Sequence, residues 1–282
     1  MFRYQLDHRI SHADVDFLGE LKVSALLGLL EGAAVEASTA CGFDAARYTH
    51  EGRIWIIRRT RLHRLVPVGG GETMHIETQV ADFRRARSLR RYTVRRGAEA
   101  VAEATTDWVY CDLASGRPVR IPEELQQALM GGAAAPMLPR ADPLPSESPA
   151  AAAELHLSVY PSHLDHVVHV NNGIYANYLE DGAFVLFAAI GWPLARMLGA
   201  GGALRVRRLD CEYLSDAQAG DQLCVRSWMS DDAFSAATDA APPAAALLVQ
   251  SITRGDGHQV LRARTDWVWR YKPVVVGGVP AG

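Results

Sequence analysis

The chain contains itself twice, and this repeat constrains its fold more than any other feature. ATTDWVY at 104–110 returns as ARTDWVW at 263–269, five identities in seven at an offset of 159. Upstream, HADVDFLGELKVSALLGLLEGAA lies over HLDHVVHVNNGIYANYLEDGA at an offset of 149. That frame puts Asp16 on Asp165, Leu30-Glu31 on Leu179-Glu180, Arg59 on Arg208, and Gly71-Glu72 on Gly220-Asp221. The change of offset requires about ten extra residues in the second half. The Ala/Pro-rich stretch 231–246, which lacks strand alternation, supplies them. Two diverged copies predict two like units paired about a pseudo-twofold axis. We place the first unit at 1–126, a Pro/Ala/Ser-rich linker at 127–154 and the second unit at 155–275.

Each copy shows the same order of elements. A short strand (2–10, then 155–161) leads into a turn carrying an Asp. A helix follows at 23–38, where Val23, Leu26, Leu27, Leu30 and Ala34 recur at helical spacing with polar Ser24, Glu31 and Glu36 between them. Its counterpart runs over 172–189, with Asn171 placed as N-cap. Four strands then follow in the first copy, at 53–66, 72–82, 87–96 and 100–111. The plan is α+β, an antiparallel sheet curled round one helix in each copy.

Composition narrows the function classes. At 49% apolar and 22% charged residues, the chain can bury a sizeable core and is not disordered. A balance of 29 basic and 32 acidic residues gives no global case for binding nucleic acid or an anionic membrane. The four cysteines show no metal-ligand spacing or disulfide framework, so neither a metal site nor a disulfide is expected. The N-terminus lacks a signal-peptide pattern, and we expect no run of about 18 apolar residues able to span a bilayer. A cytoplasmic protein is the resulting expectation.

The densest polar cluster is Ser162-His163-Leu164-Asp165-His166-Val167-Val168-His169-Val170-Asn171-Asn172, just before the second helix. Free N–H groups at a helix start favour a developing oxyanion, and a carboxylate beside them can activate water or attack directly. The same residues can instead act as helix caps and surface histidines. Residue types alone leave both readings open.

HVNNGIYANYLED resembles the helix-entry motif of hotdog-fold thioesterases. The layout as a whole resembles the acyl-ACP thioesterases of bacteria and plant plastids. The segments GELKVSALLGLLEGAAVEAS, IWIIRRTRLHRLVPVGGGETMHIETQV and DWVYCDLASGRPVRIPEEL carry the likeness in the first copy. The resemblance implies a tandem hotdog that hydrolyses acyl-ACP without a cofactor. Of the family motif Asp-x-Asn-x-His-Val-Asn-Asn, Asp165, His169, Val170, Asn171 and Asn172 match, while Val167 stands at the middle Asn. Counting from Glu212-Tyr213 reaches Asp216 as a further acid, followed by Ala217 where plant members have Cys. The resemblance thus implies Asp165 as nucleophile or base, His169 as relay and Asp216 as orienting acid. Asn171 joins the catalytic set, with Asn172, Val170 and Tyr175 on the substrate.

In the first copy Asp16 is kept, but Glu20 replaces the His and Lys22-Val23 replace the asparagines, as in a degenerate partner. Seven arginines between Arg84 and Arg96 could meet an acidic carrier protein or CoA phosphates, or form a solvated sheet edge. Trp108 and Trp267, at matching places, are read as packing residues. Three alternatives stand beside acyl-ACP hydrolysis. One is an acyl-CoA thioesterase of the hydroxybenzoyl-CoA type, and another a non-catalytic acyl-binding hotdog. The third, a hotdog dehydratase, is disfavoured because a Gly-His-Phe-Pro-type motif is missing. A homodimer of double hotdogs is left open.

Overall fold

The computed structural model describes residues 2–130, 141–145, 149–230 and 242–272. The first copy runs β1 (Tyr4–Arg9), α1 (Val23–Ala40), α2 (Ala45–His50), β2 (Arg53–Arg64), β3 (Thr73–Arg84), β4 (Arg87–Arg96), β5 (Glu99–Asp112) and α3 (Glu123–Met130). The second runs β6 (Ala153–Ser158), α4 (Asn172–Ala189), α5 (Leu194–Gly199), β7 (Gly202–Tyr213), β8 (Gln222–Met229), β9 (Ala245–Arg254) and β10 (Gln259–Tyr271). Each predicted strand and long helix is present, with ends moved by a few residues. The short α2, α3 and α5 were not foreseen. Helix α3 runs past residue 126 because Leu125, Leu129 and Met130 bury against Phe43, Val80 and Tyr110. Of the 231–246 insertion, 231–241 lie outside the described residues, as do 131–140 and 146–148 of the linker.

The strands form one antiparallel ten-stranded sheet rather than two separate ones, in the order β1-β3-β4-β5-β2-β7-β10-β9-β8-β6. The second five repeat the first five in reverse, as a twofold axis requires. Strands β2 and β7 join the copies with Arg59 opposite Glu212, Arg61 opposite Asp210 and His63 opposite Arg208. Arg61 and Asp210 are each other's counterparts at the 149-residue offset, so the pseudo-axis passes between them.

A second such pair marks the axis among the helices. A Cβ built on Gly173 would stand 2.7 Å from the Ser24 carbonyl oxygen, and Ser24 and Gly173 are also counterparts. The first turns of α1 and α4 therefore meet at the axis and the two helices run antiparallel away from it. Only a glycine allows backbone to approach backbone so closely. Beyond the contact, each helix continues alongside the turn that precedes the other.

The core matches the helical pattern: Val23, Leu26, Leu27, Leu30 and Ala34 are all buried. Trp108 and Trp267 are buried too, each donating its indole N–H to the threonine two residues earlier, Thr106 at 2.6 Å and Thr265 at 2.9 Å. By length and composition α1 could cross a membrane, contrary to the expectation that no such run exists. In the fold it is a core helix, packed on α4 and the sheet.

Candidate active site

The turn before α4 builds the site around Asp165. Its backbone N–H donates to the His169 carbonyl (2.9 Å), and Val168 N–H returns to the Asp165 carbonyl (3.1 Å). The Asp165 Oδ1 accepts from Val167 N–H at 3.0 Å and His169 N–H at 3.4 Å. One oxygen of the carboxylate is thereby fixed, and the other accepts no hydrogen bond among the described residues. Closing the turn puts Val168 at φ 66°, a left-handed conformation unusual for a β-branched residue. Its counterpart Gly19 has φ 80°.

Asn171 is the N-cap, its Oδ1 accepting from Gly173 N–H at 2.8 Å. Its own N–H donates to the His163 carbonyl at 3.0 Å, so it cannot also serve an oxyanion. The N–H of Asn172 has no acceptor among the described residues, and it lies at the positive end of an 18-residue helix. Val170 is buried, its N–H donating to the Ala217 carbonyl at 3.0 Å. That bond ties the turn to the segment carrying Asp216.

His169 Nε2 stands 3.4 Å from Asp216 Oδ2, so the imidazole and the acid reached by counting do meet. Among the described residues the ring pairs with Asp216 and makes no hydrogen bond with the Asp165 carboxylate. Gln218 Nε2 donates to the same Asp216 oxygen at 3.1 Å. Tyr175 is buried beside them, and burial, helped by the Asp216 charge, raises its phenol well above the usual range. The phenol is therefore a neutral, uncharged wall of the site. The Tyr178 hydroxyl meets His163 Nδ1 at 2.6 Å, and burial pushes its phenol up to about 12.

Two residues of this region were not foreseen. Glu31, on α1 of the first copy, comes within electrostatic reach of Asn172, Asn171 and Asp165. Burial, then the Asp165 charge, raises its carboxyl above the ordinary range, opposed by the Asn172 bond, His166 and the Asn171 bond. The second is Arg205, in the equivalent place of the other half. Its Nη2 lies 2.7 Å from Asp16 and 3.3 Å from Glu180, with a side chain 1% exposed. Arg64 pairs nearby with Glu20 at 3.4 Å. Asp16, the counterpart of Asp165, is therefore neutralised inside a buried ion cluster. The one sequence signal for Glu31 is that Leu30-Glu31 recurs as Leu179-Glu180, a charge kept in an apolar helix.

The arginine run does not form an edge, since β4 lies between β3 and β5. Arg90 is buried, and Arg87 pairs with Asp107 at 3.1 Å. A cavity of about 350 Å³ is lined by Arg58, Arg59, Arg61 and Arg87 with Asp107 and Glu212. Arg58 and Arg59 there already hold Glu212 and Asp210, so the patch is largely compensated. Among the described residues, Glu154, His156 and Cys224 offer grouped metal-ligand atoms, on the outer strands β6 and β8 rather than in the turn.

A tandem pair of units, each with one long helix against an antiparallel sheet, defines a double hotdog. Residues 2–129 match the acyl-ACP thioesterase N-terminal domain, and 168–231 match the thioesterase superfamily. Over these segments the chain is similar to acyl-ACP thioesterases and to the wider thioesterase superfamily. It is 32% identical over 77 residues to the chloroplastic acyl-acyl carrier protein thioesterase ATL3 of Arabidopsis thaliana. That match covers 27% of this chain and 40% of the relative's length. A Lactobacillus plantarum protein assigned as an oleoyl thioesterase superposes with a TM-score of 0.79 at 17% identity, covering 95% of this chain and 96% of its own. The 12:0-ACP thioesterase of Umbellularia californica gives 0.73 at 17% identity, covering 95% and 98%. Both show the tandem fold.

Proposed function

We propose that the protein hydrolyses a fatty acyl-ACP thioester to the free fatty acid and holo-ACP at the Asp165 site. The observation that carries this reading is the fixed Asp165 carboxylate beside the free Asn172 N–H at the start of α4. Asp165 takes a proton from water as the water oxygen attacks the acyl carbon. The Asn172 N–H and the helix dipole hold the carbonyl oxygen as it gains charge. His169, oriented by Asp216, stands at the exposed side of the turn and relays the proton outward. Asn171 acts on this site through the cap that fixes the helix start. Val170 and Tyr175 shape the wall against which the acyl thioester lies.

The carrier follows from the family rather than from a bare cationic surface, because several arginines of the first copy are already paired. Free CoA should therefore compete poorly with an acyl-ACP.

The test is thiol release from an acyl-ACP, comparing the wild type with Asp165→Asn. The variant should lose about a hundredfold or more, the scale of a positioned acid–base group. Near-normal turnover of the variant would overturn the site. A wild type that binds acyl ligands yet releases no thiol from acyl-ACP or acyl-CoA would make the protein a non-catalytic binder.

A further inference from the structure

The geometry points to Glu31 as a second catalytic carboxylate of the Asp165 site, supplied by the other copy's helix, which protonates the departing thiolate. This rests on the thioester-hydrolysis reading above. The placement follows from the pseudo-axis. Ser24 and Gly173 meet on that axis, so α1 runs on past the start of α4 and alongside the turn 165–171. Glu31 lies seven residues beyond Ser24, about 10 Å along the helix at 1.5 Å per residue. There it comes within electrostatic reach of Asn172, Asn171 and the Asp165 carboxylate.

The other half shows what this juxtaposition amounts to. Glu180 and Asp16 are the counterparts of Glu31 and Asp165, and both reach one nitrogen of Arg205. Two carboxylates carried by different copies thus converge in each half. In the first-copy half a guanidinium stands between the two carboxylates and pairs with both. In the Asp165 half the counterpart of Arg205 is Ile56, which carries no charge. Like charges brought together without a cation cannot both stay ionised at low cost, so one carboxyl keeps its proton. The proton belongs on Glu31, because two turn N–H groups already donate to the Asp165 carboxylate. Besides Asp165, the groups facing Glu31 are His166 in the turn, Tyr92 of β4 and Tyr213 of β7.

The step balances. Asp165 accepts a proton from water while the water oxygen bonds to the acyl carbon. The C–S bond then breaks with its electron pair going to sulfur, which takes the Glu31 proton and leaves as thiol. Asp165 gives up its proton through His169, Glu31 takes one back from solvent, and both groups are restored. One thioester and one water become one acid and one thiol, with one working site per chain.

The experiment compares the wild type, Glu31→Gln and Glu31→Asp on an acyl-ACP and on the thiophenyl ester of the same acid. A thiophenolate needs no proton to leave, whereas the alkyl thiolate of the carrier does. Glu31→Gln should lose about a hundredfold on acyl-ACP and stay within a fewfold of wild type on the thiophenyl ester. Asp165→Asn should abolish both, which ties the aryl reaction to the same site. Because the acid must be protonated, wild-type kcat/KM should fall as pH rises through the Glu31 pKa. That falling limb should vanish in Glu31→Gln and persist in Glu31→Asp. Equal losses on both esters in a folded Glu31→Gln, or no loss on either, would overturn the role of Glu31 while leaving the hydrolase reading intact. A wild type inactive on every thioester would remove both.

Discussion

Val168 offers a prediction whose sign is decided by opposing magnitudes. It sits at φ 66° in the turn that holds Asp165, with 62% of its surface exposed. The equivalent turn of the first copy is closed by the same two bonds, Asp16 N–H to Glu20 O at 2.8 Å and Gly19 N–H to Asp16 O at 2.9 Å. Gly19 occupies the left-handed position there. A non-glycine residue held in that region costs about 1–3 kcal/mol, with β-branched side chains at the upper end. Replacing Val168 with Gly removes this strain but adds unfolded-state entropy, about 0.5–1 kcal/mol. The side chain is mostly exposed, so the burial forfeited is roughly 0.5–1 kcal/mol, a fraction of that of a fully buried Val. The net expectation for Val168→Gly is a gain of about 1 kcal/mol, a rise of roughly 2 °C in melting temperature for a chain of this size. Thermal and urea melts of the two proteins test it. The reciprocal Gly19→Val should lose about 1–3 kcal/mol. A Val168→Gly protein that melts at or below the wild-type temperature would refute the strain argument. Asp165 keeps both of its N–H donors in either variant, so thiol release is expected to hold.

Other expectations follow from the same geometry. Arg205→Leu strips the guanidinium from Asp16 and Glu180 and should cost about 3–5 kcal/mol in urea unfolding; a loss under about 1 kcal/mol would mean the cluster is not truly buried. Gly173→Ala places a Cβ where the Ser24 carbonyl oxygen stands 2.7 Å away. The helix starts must separate, with a stability loss of about 1–3 kcal/mol and a fall in thiol release; unchanged melting would contradict the close approach. The folded-state pKa of Glu31 is raised above its unfolded value, so the stability it contributes is full below the unfolded pKa and lost as pH rises through the folded one. Glu31→Gln should therefore gain stability over wild type at about pH 8 and none at about pH 4, as read by melts at the two pH values; equal gains at both would refute it.

Much of the architecture was legible because it is written in local periodicity. The spacing of Val23, Leu26, Leu27, Leu30 and Ala34 marks a helical face, and those residues are buried in α1. The alternation over 72–82 likewise becomes β3. The repeat at offsets of 149 and 159 made the pairing of two like units the natural expectation. The candidate site was legible to the extent that it is contiguous: Asp165, His169, Asn171 and Asn172 belong to one turn, and Asp216 was reached by a spacing. Short α2 and α5 were missed because six residues hold too few turns for a periodic signal.

The tertiary structure alone decided the contacts between copies. The meeting of Ser24 with Gly173, the β2–β7 seam and the Arg205–Asp16 pair join residues more than 140 positions apart. No local pattern encodes which buried charge will face which. In one half an arginine reaches the paired carboxylates, and in the other an isoleucine stands at its counterpart. The linear sequence shows two similar halves. Charge pairing across the pseudo-axis gives Asp16 a guanidinium partner in one half and leaves the Asp165 turn without that partner in the other.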